Sequence, residues 1–301
     1  MKILISGGKG QLGMDCTDVL CNYHDIVSLG SKELDITDVY SVEKLVEEVM
    51  PDIILNCAAF SNVDDCETNR DLANQVNAEG PKNLACIAKK YELRLIHIST
   101  DYVFDGKRKV PQAYTEKDEP CPATYYGRSK LAGEKAVQLG TDNHVIIRTA
   151  WLFGLNGHNF LKAILRKAIE SPKTQIRVVN DQFGSPTWSY TLARQIEKLI
   201  DIKSNGIYHA SSEGYCTWYE FANTFLKEMD LPCSLVPCSS EEYPTPASRP
   251  ANSIQKNQRL NNAGINIMEN WEIDVKRFVS KFKPHLIQEV SQRGLKYKTA
   301  R

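Results

Sequence analysis

Apolar positions in the first half of the chain fall into short β-branched runs separated by stretches with helical spacing. Residues 2–6 (KILIS) predict a strand ending in glycines, and residues 11–22 the helix after it. Residues 25–29 predict a second strand. Thr37 or Asp38 can cap a helix reaching Met50, in which Val42, Leu45, Val46 and Val49 recur at helical spacing and Pro51 stops the run. Residues 52–56 (DIILN), 93–98 and 145–148 predict three more strands, with helices over 69–91 and 123–139. Strands apolar on both faces and separated by helices imply a parallel sheet with right-handed crossovers, the doubly wound α/β layout.

The second half changes character. A helix-like run over 159–170, a strand at 176–179, a turn-rich DQFGSPTW at 181–188, a helix from about 189 to 200 and a strand at 206–210 follow one another. Residues 217–229 place Trp218, Phe221, Ala222, Phe225 and Leu226 on one helical face, and 232–256 holds five prolines and reads as loop. A last helix is predicted over 271–282. We divide the chain into a core over 1–155, to which residues of about 180–205 return, a lobe over 156–282, and a polar, solvated tail over 283–301.

Composition narrows the function. Lys plus Arg and Asp plus Glu are both 37, which argues against a surface built to neutralise many phosphates and hence against nucleic acid as partner. No run of eighteen apolar residues and no basic-then-apolar leader is present, so neither a membrane span nor a secretory signal is expected. Nine scattered cysteines without a CxxC pair suggest free thiols in a reducing cytoplasm. The histidines form no HxxxH or HExxH pattern, and no metal site is expected.

The first chemical signal is SGGKGQLG at 6–13, directly after a strand and opening a helix. Gly7 permits a tight turn, Gly10 lets backbone approach a pyrophosphate, and Gly13 permits close helix packing. The spacing GxxGxxG departs from GxGxxG, and no GxxxxGK[ST] is present. The cofactor-binding set read from the strand ends is Gly7, Gly10, Gln11, Leu12, Gly13, Ser31, Lys32, Asp35, Ile36, Ala58, Ala59 and Asn77, with Tyr126 and Lys130. Lys32 is either a partner for a 2′-phosphate or an ordinary exposed lysine, so NADPH and NADH both stay open. Ser99 and Thr100 end the fourth strand. Tyr126 and Lys130 form YxxxK, and on a helix i and i+4 share a face. An ammonium beside the phenol would lower its pKa and fit it for proton transfer to a forming alkoxide, with Thr100 bonding the carbonyl oxygen.

These segments resemble the extended short-chain dehydrogenase/reductase superfamily, and within it the dTDP-4-dehydrorhamnose reductase family. The resemblance is carried by GGKGQLG (7–13), LDITD (34–38), DIILNCAAFSNVDDCE (52–67), VNAEG (76–80), ISTDYVFDG (98–106), YYGRSKLAGE (125–134), RTAWLFGLNGHNF (148–160), DQFGSPTW (181–188) and RPANS (249–253). It implies a Rossmann-type core with a substrate-binding lobe, and Thr100, Tyr126 and Lys130 as the catalytic set. It also implies NADPH- or NADH-dependent reduction of the C4 ketone of dTDP-4-dehydro-6-deoxy-L-mannose. Asp101, Tyr102, Trp151, Asn159 and Arg249 join Thr100 as expected contacts to the nucleotide sugar, Arg249 as a fork on its diphosphate.

Some relatives join two subunits through a magnesium held by glutamates. Here those positions look like Asp15 and Tyr190, which argues against a metal-bridged dimer and leaves monomer or plain homodimer. Two other readings share the core: a sugar-nucleotide reductase or epimerase of other specificity, and a non-catalytic regulatory subunit related to that of methionine adenosyltransferase.

Overall fold

The frame is a six-stranded parallel sheet in a computed structural model that describes residues 1–232 and 234–298. Strands β1 (Lys2–Ser6), β2 (Asp25–Leu29), β3 (Ile53–Asn56), β4 (Arg94–Thr100) and β5 (His144–Thr149) lie in the order β2, β1, β3, β4, β5, and Gly206–His209 adds the sixth beside β5. The order reverses between β1 and β3, so the carboxyl ends of these two strands open a crevice.

Helices follow as α1 (Gln11–Leu20), α2 (Val39–Val49), α3 (Val63–Thr68), α4 (Arg70–Asn74), α5 (Gly80–Lys90), α6 (Tyr125–Gly140), α7 (Phe160–Glu170), α8 (Ser189–Ile200), α9 (Trp218–Glu228), α10 (Gln258–Asn262) and α11 (Trp271–Lys298). One face of the sheet is covered by α1 and α8, where Leu12, Cys16 and Val19 meet Leu192, Ile196 and Leu199. The other face is covered by α2, α5 and α6 through Val42, Val46, Leu84, Ile87 and Val137. Of the two candidate caps for α2, Asp38 takes the position, accepting from Tyr40 N at 3.1 Å and Ser41 N at 3.4 Å. A separate core lies in the second half, where Phe153, Leu165, Phe221, Phe225 and Phe278 pack together.

Two expected helices differ. The run over 69–91 is α4 and α5 joined by a π-helical turn, Gln75–Glu79. In that turn Asn77 is fully buried, and both ends of its amide are spent. Its Oδ1 accepts from Phe60 N at 2.9 Å, while Nδ2 donates to Phe60 O and Ser129 Oγ, each at 3.0 Å. Asn77 thus ties down the chain after β3 rather than holding a cofactor, as the sequence reading had it. The last helix does not stop at 282. It runs through Pro284 to Lys298, because Leu286 and Val290 continue the buried stripe begun by Phe278 and Phe282. The expected solvated tail is therefore helical as far as Lys298, and residues 299–301 lie outside the described residues.

A buried ion pair fixes α6 to the sheet. Arg148 of β5 and Glu134 of α6 are each 1% exposed. Arg148 Nε donates to Glu134 Oε1 at 2.9 Å and Nη2 to Oε2 at 2.6 Å, a bidentate fork. Ser99, which faces Arg148 across the β4–β5 ladder, also donates to Glu134 Oε1.

Glu134→Ala leaves a guanidinium buried and unpaired, and is expected to cost about 3–5 kcal/mol in a denaturant melt. Leu286→Ala is expected to cost about 2–5 kcal/mol. An unchanged melting midpoint for Leu286→Ala would show that this stretch of α11 does not pack.

Candidate active site

The crevice between β1 and β3 is built from missing side chains. Gly7 has φ +70°, and a Cβ there would stand 2.5 Å from Ala58 N, so only glycine allows the β1 turn to pass so close to the end of β3. A Cβ on Gly10 would meet only Gly7 O, at 3.1 Å, and otherwise points into open space. Gly10 is the N-cap of α1 and offers no side-chain cap, so the first-turn N–H groups of the helix are left for an anion. The cleft has a volume of about 350 Å³ and is lined by Gly7, Gly10, Ser31, Asp35, Ile36, Ala58 and Ala59, all expected from the strand ends. Small walls, free helix N–H groups and an open strand crevice fit a dinucleotide.

Other members of the expected set are placed elsewhere. Leu12 is 6% exposed and belongs to the core under the sheet, as its position on the inner face of α1 requires. Gly13 packs against the turn, where a Cβ would stand 2.2 Å from Gly7 O. Gln11 Oε1 accepts from Asn159 Nδ2 at 2.8 Å, which links the start of α1 to the second half. Lys32 is exposed and does not line the cleft. Lys9 of the glycine turn does, and it pairs with Glu33. Cys57 and Lys9 are cleft residues that the sequence reading passed over.

The end of β4 and the first turn of α6 bring the reactive groups together. Thr124 caps α6, accepting from Gly127 N at 3.1 Å. A Cβ on Gly127 would stand 2.1 Å from Tyr102 O, so the glycine of YYGRSK lets α6 lie against the turn after Thr100. Tyr126 is half-buried and meets Tyr102 edge-on, with ring centroids 5.6 Å apart. Burial raises the Tyr126 phenol above its ordinary value. The Thr100 hydroxyl bonded to it pulls it down, and the Asp101 charge pushes it further up. This corrects the expectation that Lys130 lowers the phenol. Lys130 Nζ instead donates to Ile98 O at 2.7 Å, and burial brings the ammonium down to about 8. Glu134, one turn further along α6, opposes that fall, and Cys57 of the cleft also faces the ammonium. Lys130 is thus anchored to strand β4.

Asp101 is 2% exposed, and burial pushes its carboxyl up to about 6. Tyr102 is raised by burial and feels the charges of Asp101, Arg249 and Tyr126 in turn. Arg249 belongs to a second pocket, of about 340 Å³, whose walls also include Phe160, Lys167, Arg177, Trp218 and Tyr243. Aromatic faces among cations suit a planar base carrying phosphates.

Three expected substrate contacts look different in place. Arg249 lines this pocket, but its fork already holds Asp64, with Nη1–Oδ1 at 3.1 Å and Nη2–Oδ2 at 2.8 Å, and Asp64 is held below the usual carboxylate range by it. Trp151, at φ +45°, stacks on Trp218 with ring centroids 3.5 Å apart and planes 5° from parallel. A Cβ on Gly184 would stand 2.4 Å from the Trp151 ring, so Trp218 and Gly184 occupy much of the indole that was expected to meet a sugar. Asn159 is the cap of α7, accepting from Lys162 N at 3.1 Å, and its amide goes to Gln11 and Gly154 O. Its polar atoms are structural, which corrects its expected role as a ligand contact. Asp64 and Trp218 sat inside recognised segments without any local signal of their roles.

Asp15 is buried and accepts from Ser189, and the Lys281 ammonium stands 4.8 Å from the Tyr190 ring centroid. Among the described residues no group of three or more His, Cys, Asp or Glu is placed to hold a metal, and no helix is long and apolar enough to cross a membrane.

Comparison with known proteins matches this geometry. The family model "RmlD substrate binding domain" matches residues 1–283. The spore coat polysaccharide biosynthesis protein SpsK of Bacillus subtilis is 39% identical over 265 residues, covering 88% of this chain and 92% of that protein. The dTDP-4-keto-6-deoxy-D-glucose reductase of Streptomyces niveus is 35% identical, covering 89% of this chain and 93% of that one. The crystal structure of dTDP-4-dehydrorhamnose reductase from Bacillus anthracis, in complex with NADP, superposes with a TM-score of 0.90 at 39% identity, covering 93% of this chain and 99% of that one. A glycine-turn cleft, a Thr–Tyr–Lys set at the end of β4 and the start of α6, and these matches along nearly the whole chain place it in the dTDP-4-dehydrorhamnose reductase family of extended short-chain dehydrogenases/reductases.

Proposed function

We propose that this chain is an NAD(P)H-dependent reductase that converts the C4 ketone of dTDP-4-dehydro-6-deoxy-L-mannose to the alcohol of dTDP-L-rhamnose. One observation carries the reading. Lys130 feels the charge of Cys57 of the glycine cleft, while Tyr126 meets Tyr102, which feels the charge of Arg249 of the aromatic, cationic pocket. The reactive groups thus stand where two ligands would meet. The activities of the relatives supply the class of ligand for each side.

The reduced nicotinamide, when bound, supplies the hydride. Gly7, Gly10 and the N–H groups opening α1 hold the dinucleotide, with Ala58 and Ala59 as its flat wall. Lys130 has three N–H donors, of which one is spent on Ile98 O, and the others are free for ribose hydroxyls. Tyr126 delivers the proton to the oxygen that gains negative charge. Its raised pKa keeps the phenol protonated until that charge appears. Thr100 adds a hydrogen bond to the same oxygen. Lys167 and Arg177 line the pocket that takes the diphosphate, beside an Arg249 whose fork is held by Asp64. Free cysteines and a nucleotide-diphosphate substrate support a cytoplasmic location.

Incubation with NADPH and the 4-ketosugar, followed by product analysis, tests the reading: one ketone is consumed per cofactor oxidised. Tyr126→Phe is expected to keep cofactor binding and lose at least about 100-fold in turnover. Near-wild-type single-turnover rates in that variant would remove Tyr126 as the proton donor. The second expectation concerns the 2′-phosphate. Lys9→Ala is expected to weaken NADPH binding about tenfold, the worth of one charge-assisted hydrogen bond, with NADH unchanged. Lys32→Ala is expected to alter neither, as read by nicotinamide fluorescence.

A further inference from the structure

A hydroxyl carries one proton and two lone pairs, so its partners can be counted. Thr100 Oγ1 lies 3.0 Å from Asp101 Oδ1, and Tyr102 N donates to it at 3.2 Å. The Tyr126 phenol is its third neighbour. With Asp101 ionised, a carboxylate only accepts, so the Thr100 proton goes to Asp101. One lone pair of Oγ1 takes Tyr102 N–H, and the other faces the Tyr126 O–H. In that arrangement Thr100 has no proton for a ketone oxygen, and the phenol proton is engaged as well. With Asp101 protonated, the carboxyl donates to Oγ1 and fills its second lone pair. The Thr100 proton and the phenol proton are then both released toward the reacting oxygen.

We infer that Asp101 is a positioning residue whose protonation sets the direction of the Thr100 hydrogen bond, and so decides whether the site presents two donors to the ketone or none. The inference rests on the reductase reading above. Asp101 sits at the end of β4 and is nearly fully buried. Its Oδ2 is enclosed without a well-formed hydrogen bond, and the Ser253 hydroxyl beside it is turned to Phe183 O at 3.5 Å. The titratable groups facing it are Tyr126 from α6 and Tyr102 from the turn, both of which its charge raises. Beyond Tyr102 stand Arg249 and Asp64, already paired with each other. Burial places the carboxyl at about 6, against which the Ser253 and Thr100 hydroxyls pull downward. A bound sugar that excludes water acts in the upward direction.

The sign follows. The protonated form is the active one, so kcat is full below the Asp101 pKa and falls as pH rises through it. The fall is expected to reach about 100-fold, the lower cost of losing an oxyanion donor. The experiment is a pH profile of kcat on the 4-ketosugar for wild type and Asp101→Asn, with cofactor affinity measured alongside by fluorescence. An amide cannot ionise and can donate through Nδ2. The expected result is that this break vanishes and that any loss set by Lys130 near 8 remains. Persistence of the break in Asp101→Asn would overturn the inference. An infrared titration of the wild-type chain is independent of the variant's folding. A buried carboxylic-acid band should titrate with the midpoint of the kcat/KM profile, which reports the ligand-free chain, and separate midpoints would also overturn it. A wild-type chain inert on the ketone at all pH values would instead refute the reductase reading, with the cause lying outside Asp101.

Discussion

The fork between Arg148 and Glu134 is the contact on which the reactive geometry depends. Two charges taken out of water gain from each other only if the geometry is good and the remaining polar atoms find partners. Here Ser99 supplies one such partner, and the Phe104 ring lies 5.2 Å from the guanidinium carbon. The residues joined are Ser99 of β4, Arg148 of β5 and Glu134 of α6. Thr100 adjoins the first, and Lys130 lies one turn before the last. A displacement of α6 along the sheet would break the fork, so the ion pair sets the register of Tyr126 and Lys130 against Thr100. Its contribution is to position rather than to net stability.

A second consequence of that register is electrostatic. Lys130 is buried among β4, the cleft wall and α6, and solvent would not by itself keep it charged. Glu134 opposes the desolvation, and Ile98 O takes one of its protons. The neutral imidazole of His97, held well below its ordinary pKa by burial and by Lys130, accommodates the cation without competing for it. Asn56 sits beneath, bonded to Ser6, to Ala58 N and to His97, so the floor of the glycine cleft and the floor of the catalytic set are one polar network.

Periodicity made the frame legible. Five strands, their crossovers and the return of 189–200 to the sheet follow from runs of buried side chains with local spacing. The glycine turn and YxxxK were also readable, because each chemistry is contained in a few consecutive residues. What escaped depends on pairs distant in the chain. The Arg249 fork is satisfied by Asp64, 185 positions away. Trp151 finds its stacking partner on α9, and Asn159 spends its amide on Gln11, 148 positions away. Lys130 was misjudged for a different reason. Helical spacing fixes where a Cβ points but not where four methylenes carry the charge, and a strand carbonyl won over the phenol. Asn77 and Leu12 stood in segments that do shape the cleft, yet their own side chains face inward.

Helix α11 has a bearing on how the chain assembles as it is made. Near its start Asp274 accepts from Thr191 of α8 at 2.9 Å, which ties it to a helix packed on the sheet. Further along, Phe278, Val279, Leu286 and Val290 complete the core of the second half. The segment that closes that core is therefore synthesised after the rest of that core. The glycine-turn half has all of its first five strands available long before, and domains form in N-to-C order as the chain emerges. During translation the cofactor half can organise while the lobe opposite it still exposes aromatic surface, and the emergence of α11 is the event that lets the lobe close.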